Sequence, residues 1–319
     1  MLLDFGGTVS QVVFRWKHDI MRVSFSPGYS APLPERHPFP MSKFVALHQI
    51  LLREGLVRPE EVIEPYEAEW EDLLRVHTYE YLNSLKNGTL DPTEERKLGL
   101  PWSKGLVRRS RLAAQGSINA AFMALEDGIA ANLAGGTHHA FPDHGEGFCV
   151  LNDVAIAIRR LAHEQIIKRA LVIDLDVHQG NGTAGIFSND PTAYTFSMHG
   201  ARNYPFHKTP SSHDVELPDG ANDDYYLSTL ATHLPLALRE SQPDLVFYLG
   251  GVDPMAGDRF GRLSLTRDGL HKRDCYVLQT LHRLGIPAVL TLSGGYAKTP
   301  EMTADLHAIT HREARRIYG

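Results

Sequence analysis

Four short segments of this 319-residue chain carry side chains suited to metal or acid–base chemistry. Carboxylates and imidazoles are ligands for zinc, and an imidazole can also exchange protons near neutral pH. A tyrosine hydroxyl can donate a hydrogen bond to a developing oxyanion. The side chains are His138 and His139 in the first segment, Asp174, Asp176 and His178 in the second, Asp253 in the third and Tyr296 in the fourth.

The spacing of Asp176 and His178 suits one metal ion. Residues two apart on an extended segment point to the same side, and Asp253 would add a third ligand and leave a position open for water. Each segment alone also has an ordinary structural interpretation: a helix cap, a buried histidine, a surface histidine pair or a packed tyrosine. A shared site is favoured because all four segments follow predicted strands.

Apolar runs and helical patterns alternate along most of the chain. This order predicts an α/β fold, with a central, mostly parallel sheet flanked by helices on both faces. Ligands bind such sheets outside the carboxyl ends of the strands, so the four segments should face one crevice. The predicted strands are 129–136, 169–176, 192–199, 244–251 and 287–295, and the predicted helices are 110–128, 152–164, 223–241 and 266–285.

The first hundred residues are less regular. Ser42 is predicted to cap a helix that stops at Gly55. Residues 68–88 indicate another helix, whereas 87–109 are expected to form a surface loop. The chain is interpreted as a single domain spanning 1–319, in which residues 1–20 are an N-terminal extension.

Composition excludes several classes of protein. A hydrophobic content of 43% with 22% charged residues is typical of a globular chain, and no apolar run approaches the ~18 residues of a membrane span. The net charge of −6, without a basic block, argues against nucleic-acid binding. Two cysteines, Cys149 and Cys275, are too few for a disulfide framework and predict a cytoplasmic protein. Cys149 is expected to be a buried residue that packs in the core and not a nucleophile.

The motifs around these segments resemble the zinc-dependent histone deacetylase superfamily, which has the arginase/deacetylase fold. The resemblance runs from about Met21 and is carried by residues 135–158, 173–183, 251–266 and 293–296, with weaker similarity in 37–51 and 73–85. Asn181 and Ser293, before the Gly-Gly-Tyr turn, are most similar to the class IV branch.

The resemblance implies one Zn²⁺ held by Asp176, His178 and Asp253, with Tyr296 polarising the substrate carbonyl. It places Asp174 behind His138. Asn181 would stand behind His139, where the class I enzymes have a carboxylate, so His139 should be less basic than in those enzymes. His139 is the predicted general base.

The resemblance also implies two further sets of residues. A structural K⁺ or Na⁺ would be bound by Asp174, Asp176, His178, Ser197 and Met198. The substrate would contact Gly147, Phe148, Tyr204 and Gly294, with Phe148 and Tyr204 as walls of a narrow channel.

The predicted reaction removes an acyl group from the ε-amine of lysine in a protein or peptide. The class IV resemblance implies a preference for long fatty acyl groups, in a cavity with room at Gly250, Gly251, Gly294 and Gly295 and lined by Phe141, Met255 and Leu292.

Three alternatives remain. An acetylpolyamine deacetylase is disfavoured by Phe260, where a glutamate is expected. An arginase-like manganese enzyme would need additional bridging carboxylates near both motifs. This chain has the neutral residues Asn181 and Pro254 there. A catalytically inactive acyl-lysine binding module should have lost one of the site residues, and none is lost.

Overall fold

The computed structural model describes residues 20–319, so nearly all of the predicted N-terminal extension lies outside the described residues. Eight strands form one sheet in the order β2-β1-β3-β8-β7-β4-β5-β6, and every pairing is parallel. This confirms the predicted α/β class. The strands are β1 Arg22–Ser24, β2 Val62–Ile63, β3 Ile129–Asn132, β4 Ala170–Asp174, β5 Ala193–Gly200, β6 His213–Leu217, β7 Leu245–Leu249 and β8 Ala288–Thr291.

The central strands are apolar throughout because both faces of the sheet are covered. In β4, Leu171 and Ile173 pack into the core on one face, and Ala170 and Val172 pack into the core on the other. Strands with both faces buried have continuous apolar sequences rather than alternating ones. Such a sheet fixes the carboxyl ends of its strands firmly in place.

Ten α-helices surround the sheet within the described residues. They are α1 Lys43–Arg53, α2 Trp70–Leu73, α3 Tyr79–Asn87, α4 Pro92–Leu98, α5 Lys104–Asp127, α6 Asp153–His163, α7 Asn181–Phe187, α8 Asp223–Ser241, α9 Arg267–Leu284 and α10 Pro300–Tyr318. Helix α6 packs on one face, and α8, α9 and α10 pack on the other. No helix among residues 20–319 has the length and apolar character that a bilayer crossing needs.

Two predictions for residues 68–109 were wrong. Residues 68–88 form two helices rather than one, because the Thr78 side chain accepts a hydrogen bond from the Tyr81 amide and starts α3 afresh. The predicted loop 87–109 contains α4 and the start of α5. Asp91 caps α4, and Ser103 caps α5 by accepting a hydrogen bond from the Leu106 amide.

Ser42 does not cap α1, contrary to the prediction. Its backbone is already helical and its side chain makes no capping hydrogen bond. The carbonyl of Pro40 accepts the Lys43 amide in the preceding turn, which explains why Ser42 lies inside a turn. The predicted end is correct, since Gly55 has a φ of +66° in the left-handed region that favours glycine.

Candidate metal centre

Asp176, His178 and Asp253 come together at the carboxyl ends of β4 and β7. One potential ligand atom from each residue lies within 4.8 Å of the others, and all three residues are buried. Asp176 and His178 follow β4 directly, and Asp253 follows β7, which pairs with β4 in the sheet. The expectation that these side chains would meet in one crevice is therefore confirmed in the geometry.

The surroundings of the two carboxylates fit a bound cation. The Oδ2 atom of Asp253 is fully buried and lies 3.2 Å from His178 Nδ1, which is also 2.9 Å from Asp176 Oδ1. Burial, followed by repulsion from Asp176, raises the pKa of Asp253 to about 7. Burial opposes a charged His178, but the hydrogen bonds to Asp176 and Asp253 raise its pKa to about 10. Two buried carboxylates that repel each other beside an imidazole are a set of groups that a divalent cation would stabilise.

Main-chain and hydroxyl donors hold Asp176 in place. Its Oδ2 atom accepts hydrogen bonds from Ser293 Oγ at 2.8 Å and from the Gly294 amide at 2.6 Å. These donors belong to the turn after β8. The same turn carries Tyr296, so the carboxylate fixes the tyrosine segment relative to the triad.

His138 is paired with a buried carboxylate, as predicted. Its Nδ1 atom lies 2.7 Å from Asp174 Oδ2 at the end of β4. Burial disfavours the charged imidazole, but the interaction with Asp174 wins and raises the pKa of His138 to about 9. The pairing with Asp174 therefore favours the charged form of His138.

His139 has the opposite electrostatic character. Its Nδ1 atom lies 2.7 Å from Asn181 Oδ1 at the start of α7. Burial, together with repulsion from His138 and His178, lowers the pKa of His139 well below its ordinary value. His139 is therefore neutral, and its lower basicity relative to the class I enzymes stays a prediction.

Glu146 is a site residue that the sequence did not reveal. Asn181 Nδ2 donates to Glu146 Oε1 at 2.5 Å, and the carboxylate is buried. A carboxylate only accepts, so the Asn181 amide nitrogen must face Glu146 and its oxygen must face His139. His139 then donates from Nδ1 and keeps Nε2 free. Glu146 thus sets the tautomer of His139 across the asparagine.

Glu146 is held ionised by its neighbours. Burial alone would raise the pKa of Glu146, but hydrogen bonds from His144, Asn181 and Tyr204 lower it well below its ordinary value. Lys97 Nζ also lies 3.1 Å from Glu146 Oε2. The charge that Asn181 cannot carry is therefore present one hydrogen bond further from His139.

Tyr296 stands at the mouth of the site with its hydroxyl available. Within residues 20–319 this hydroxyl makes no side-chain or main-chain hydrogen bond, while the Tyr296 amide donates to Asp258 Oδ2 at 2.7 Å. Burial, then the nearby carboxylates of Asp253 and Asp176, raises the pKa of Tyr296 well above its ordinary value. The group remains a neutral donor, and Asp258 positions its backbone.

Asp153, at the start of α6, shapes the loop before the tandem histidines. Its carboxylate accepts the amide of Thr137 at 2.8 Å and that of Gly136 at 3.2 Å. A side chain at Gly136 would collide with the backbone of Ser293. The histidine loop and the tyrosine turn therefore pack closely only because residue 136 is glycine.

A cleft of about 420 Å³ leads from the surface to the triad. Phe148 and Tyr204 both line it, in agreement with the predicted channel walls. The Tyr204 ring lies edge-on to His139 with centroids 5.0 Å apart. A side chain at Gly147 would meet the His139 ring, so glycine lets the loop approach that imidazole.

A second cavity of about 40 Å³ lies at the triad and contacts Lys43, Arg109 and Gly294. The residues predicted to line a long acyl pocket are not there. Phe141 stacks on His144 instead, and neither Met255 nor Leu292 lines the cavity. Gly250, Gly251 and Gly295 do not line it either. Lys43 was missed because it lies on α1, far from the motifs in sequence.

The residues of the predicted structural cation site are neighbours in the sheet. Asp174 on β4 is in register with Ser197 on β5, and Met198 follows. The Ser197 hydroxyl lies 2.9 Å from His199 Nδ1. Binding of K⁺ or Na⁺ by this group stays a prediction.

Comparison with known proteins gives the class to which this fold and site belong. Residues 37–312 match the histone deacetylase domain, which is most of the chain. The chain therefore belongs to the histone deacetylase family, whose members are hydrolases.

Individual relatives span most of the chain. It is 48% identical over 296 residues to an uncharacterized protein of Picosynechococcus sp., covering 93% of this chain and 99% of the relative. It is 36% identical to histone deacetylase 2 of Arabidopsis thaliana, with coverage of 82% and 70%. It is 27% identical to the acetoin utilization protein AcuC of Staphylococcus aureus, with coverage of 82% and 72%. The crystal structure of the HDA15 HD domain superposes with a TM-score of 0.75 at 23% identity over 93% of this chain and 90% of that one, which supports the fold.

Proposed function

We propose that the protein is a zinc-dependent lysine deacylase that hydrolyses short N-acyl groups, acetyl above all, on the ε-amine of lysine in proteins or peptides. The observation that carries this proposal is the buried Asp176–His178–Asp253 triad at the end of a narrow cleft. Membership of the histone deacetylase family supports the reaction class.

Bound zinc would lower the pKa of a coordinated water toward ~7 and polarise the amide carbonyl. The two carboxylates and one imidazole are N and O ligands of the kind that catalytic zinc uses. Asp176, His178 and Asp253 would hold the metal. Ser293 and Gly294 would keep Asp176 oriented through the hydrogen bonds already described.

The histidines divide the proton chemistry between them. His139 is neutral with Nε2 free, so it accepts the proton of the attacking water and then delivers it to the departing amine. His138 is paired with Asp174, which favours its charged form, so it would contribute positive charge and would not act as the base. The Tyr296 hydroxyl donates to the developing oxyanion. Phe148 and Tyr204 surround the aliphatic lysine stem and exclude water from it.

The cavity at the triad favours a short acyl group. A volume of about 40 Å³ holds roughly three water-sized groups, since each needs ~10 to 15 Å³ of such space. The long-chain preference implied by class IV resemblance has no support in this cavity or in the relatives. Class IV membership and the cytoplasmic location stay predictions.

A small N-acyl amine is the second candidate substrate. The similarity to AcuC favours it, because that protein is named for acetoin utilization. A cationic acetylpolyamine fits poorly, since the cleft contains Phe260 and no carboxylate among its described lining residues.

The test combines metal analysis with turnover. The wild-type protein should bind one zinc and release acetate from an acetyl-lysine peptide faster than longer acids from acyl-lysine peptides. Asp253→Asn should lose zinc and activity together. The control is Asp268→Asn, an exposed carboxylate at the start of α9, which should keep both. Full zinc and wild-type turnover in Asp253→Asn would refute the ligand assignment.

A further inference from the structure

The cleft above the triad has a basic rim. Arg96 and Lys97, at the end of α4, lie on it, and so do Arg202 and Arg262 from two other loops. Among the described residues that line the cleft there are four cationic side chains and no aspartate or glutamate. This local balance is opposite in sign to the net charge of −6 for the whole chain.

The carboxylates nearby do not neutralise this rim. Arg202 and Arg262 share the single carboxylate of Asp219, at 3.5 and 3.4 Å, and their side chains are 76% and 51% exposed. Arg96 donates to Thr93 and interacts electrostatically with Asp91, but no carboxylate among residues 20–319 forms a close ion pair with it. Lys97 is offset by Glu146. The close ion pairs therefore leave one arginine without its own carboxylate on each side of the cleft.

Asp258, close in sequence to Phe260 and Arg262, does not line the cleft. Its carboxylate accepts the amides of Phe260, Gly261 and Tyr296. It thus supports the turns below the rim.

We propose that the basic rim selects acyl-lysines flanked by acidic residues, and that it disfavours the lysine- and arginine-rich segments typical of nucleic-acid-binding tails. This inference rests on the proposed function. Arg96 on one side and the Arg202–Arg262 pair on the other would each contact a carboxylate of the peptide. Exposed ion pairs of this kind change affinity by roughly two- to fivefold each and weaken with salt.

The experiment compares three acetyl-lysine peptides of equal length whose flanking residues are glutamate, serine or lysine. The readouts are kcat/KM with the zinc-loaded protein and binding of the fluorescently labelled peptides by anisotropy, both at low and high salt. The glutamate peptide should have a kcat/KM several-fold above the serine peptide and more than tenfold above the lysine peptide, mainly through KM. High salt should reduce the difference.

The variant Arg96→Gln/Arg202→Gln/Arg262→Gln should lose the preference while keeping kcat on the serine peptide. The control is Arg239→Gln, which should behave as wild type. Arg239 is an exposed position near the end of α8, a helix that leads into the amino end of β7. Equal kcat/KM for the three peptides, a preference for lysine flanks, or a preference retained by the triple variant would overturn the inference alone. Hydrolysis of none of the peptides would overturn the proposed function as well.

Discussion

Replacing Asn181 with aspartate tests whether Glu146 carries the charge behind His139. In the structure Asn181 lies between them, 2.7 Å from His139 Nδ1 and 2.5 Å from Glu146 Oε1. The variant Asn181→Asp would put a second carboxylate against an ionised one. Because Glu146 is already ionised, a carboxylate at position 181 should therefore destabilise the folded protein.

The magnitude follows from the geometry. Two unit charges 2.5 Å apart repel by about 6 to 7 kcal/mol at an effective dielectric constant of ~20. Protonating one carboxyl group with an ordinary pKa of ~4 at neutral pH costs only about 4 kcal/mol, so the pair should bind a proton instead. The folded variant then binds one proton more than the unfolded chain. Its loss of stability should be about 3 to 4 kcal/mol near pH 7, larger at higher pH, and nearly absent below pH ~4.

A double-mutant cycle gives the assay. In Asn181→Asp/Glu146→Gln, the glutamine amide can donate to the new carboxylate, so the hydrogen bond survives with its polarity reversed. Urea unfolding should show Glu146→Gln alone costing about 1 kcal/mol, with the double variant recovering about 2 to 3 kcal/mol of the loss. Additive losses, or a loss from Asn181→Asp that is equal at pH ~5 and ~8, would refute an ionised Glu146 at this position.

Three further outcomes are expected. Tyr296→Phe should lower kcat by roughly 10²- to 10³-fold and leave zinc content and melting temperature unchanged, because the hydroxyl has no partner in the described residues; an unchanged kcat would remove it from the reaction. His139→Ala should reduce kcat more than His138→Ala, and equal mild losses would assign proton transfer elsewhere. Burial lowers the pKa of His77 to about 4, so folding should lose about 3 kcal/mol as pH falls from ~6.5 to ~4. His77→Gln should flatten that dependence in urea unfolding, and an unaltered slope would contradict it.

The sequence was most informative where local pattern and tertiary position coincide. The apolar runs of β4, β7 and β8 are long enough to be recognised as buried strands, and the polar residues after each run must then lie at one edge of the sheet. That reasoning places Asp176, His178 and Asp253 together. It was less successful for short helices, since α2 is a single turn without a side-chain cap and α4 depends on the caps of Asp91 and Glu94.

Glu146 could not be predicted because its role depends on a contact with Asn181, 35 residues away, and a glutamate in a glycine-rich loop has no distinctive pattern. Read alone, Asn181 indicates a missing charge. The fold shows instead that the charge is displaced by one hydrogen bond, which leaves His139 uncharged yet fixed in one tautomer. The basic rim was hidden for a related reason. The net charge is a sum over the whole chain and does not show where charges lie. Arg96, Arg202 and Arg262 come to line one cleft only because the fold brings α4 and two distant loops around it.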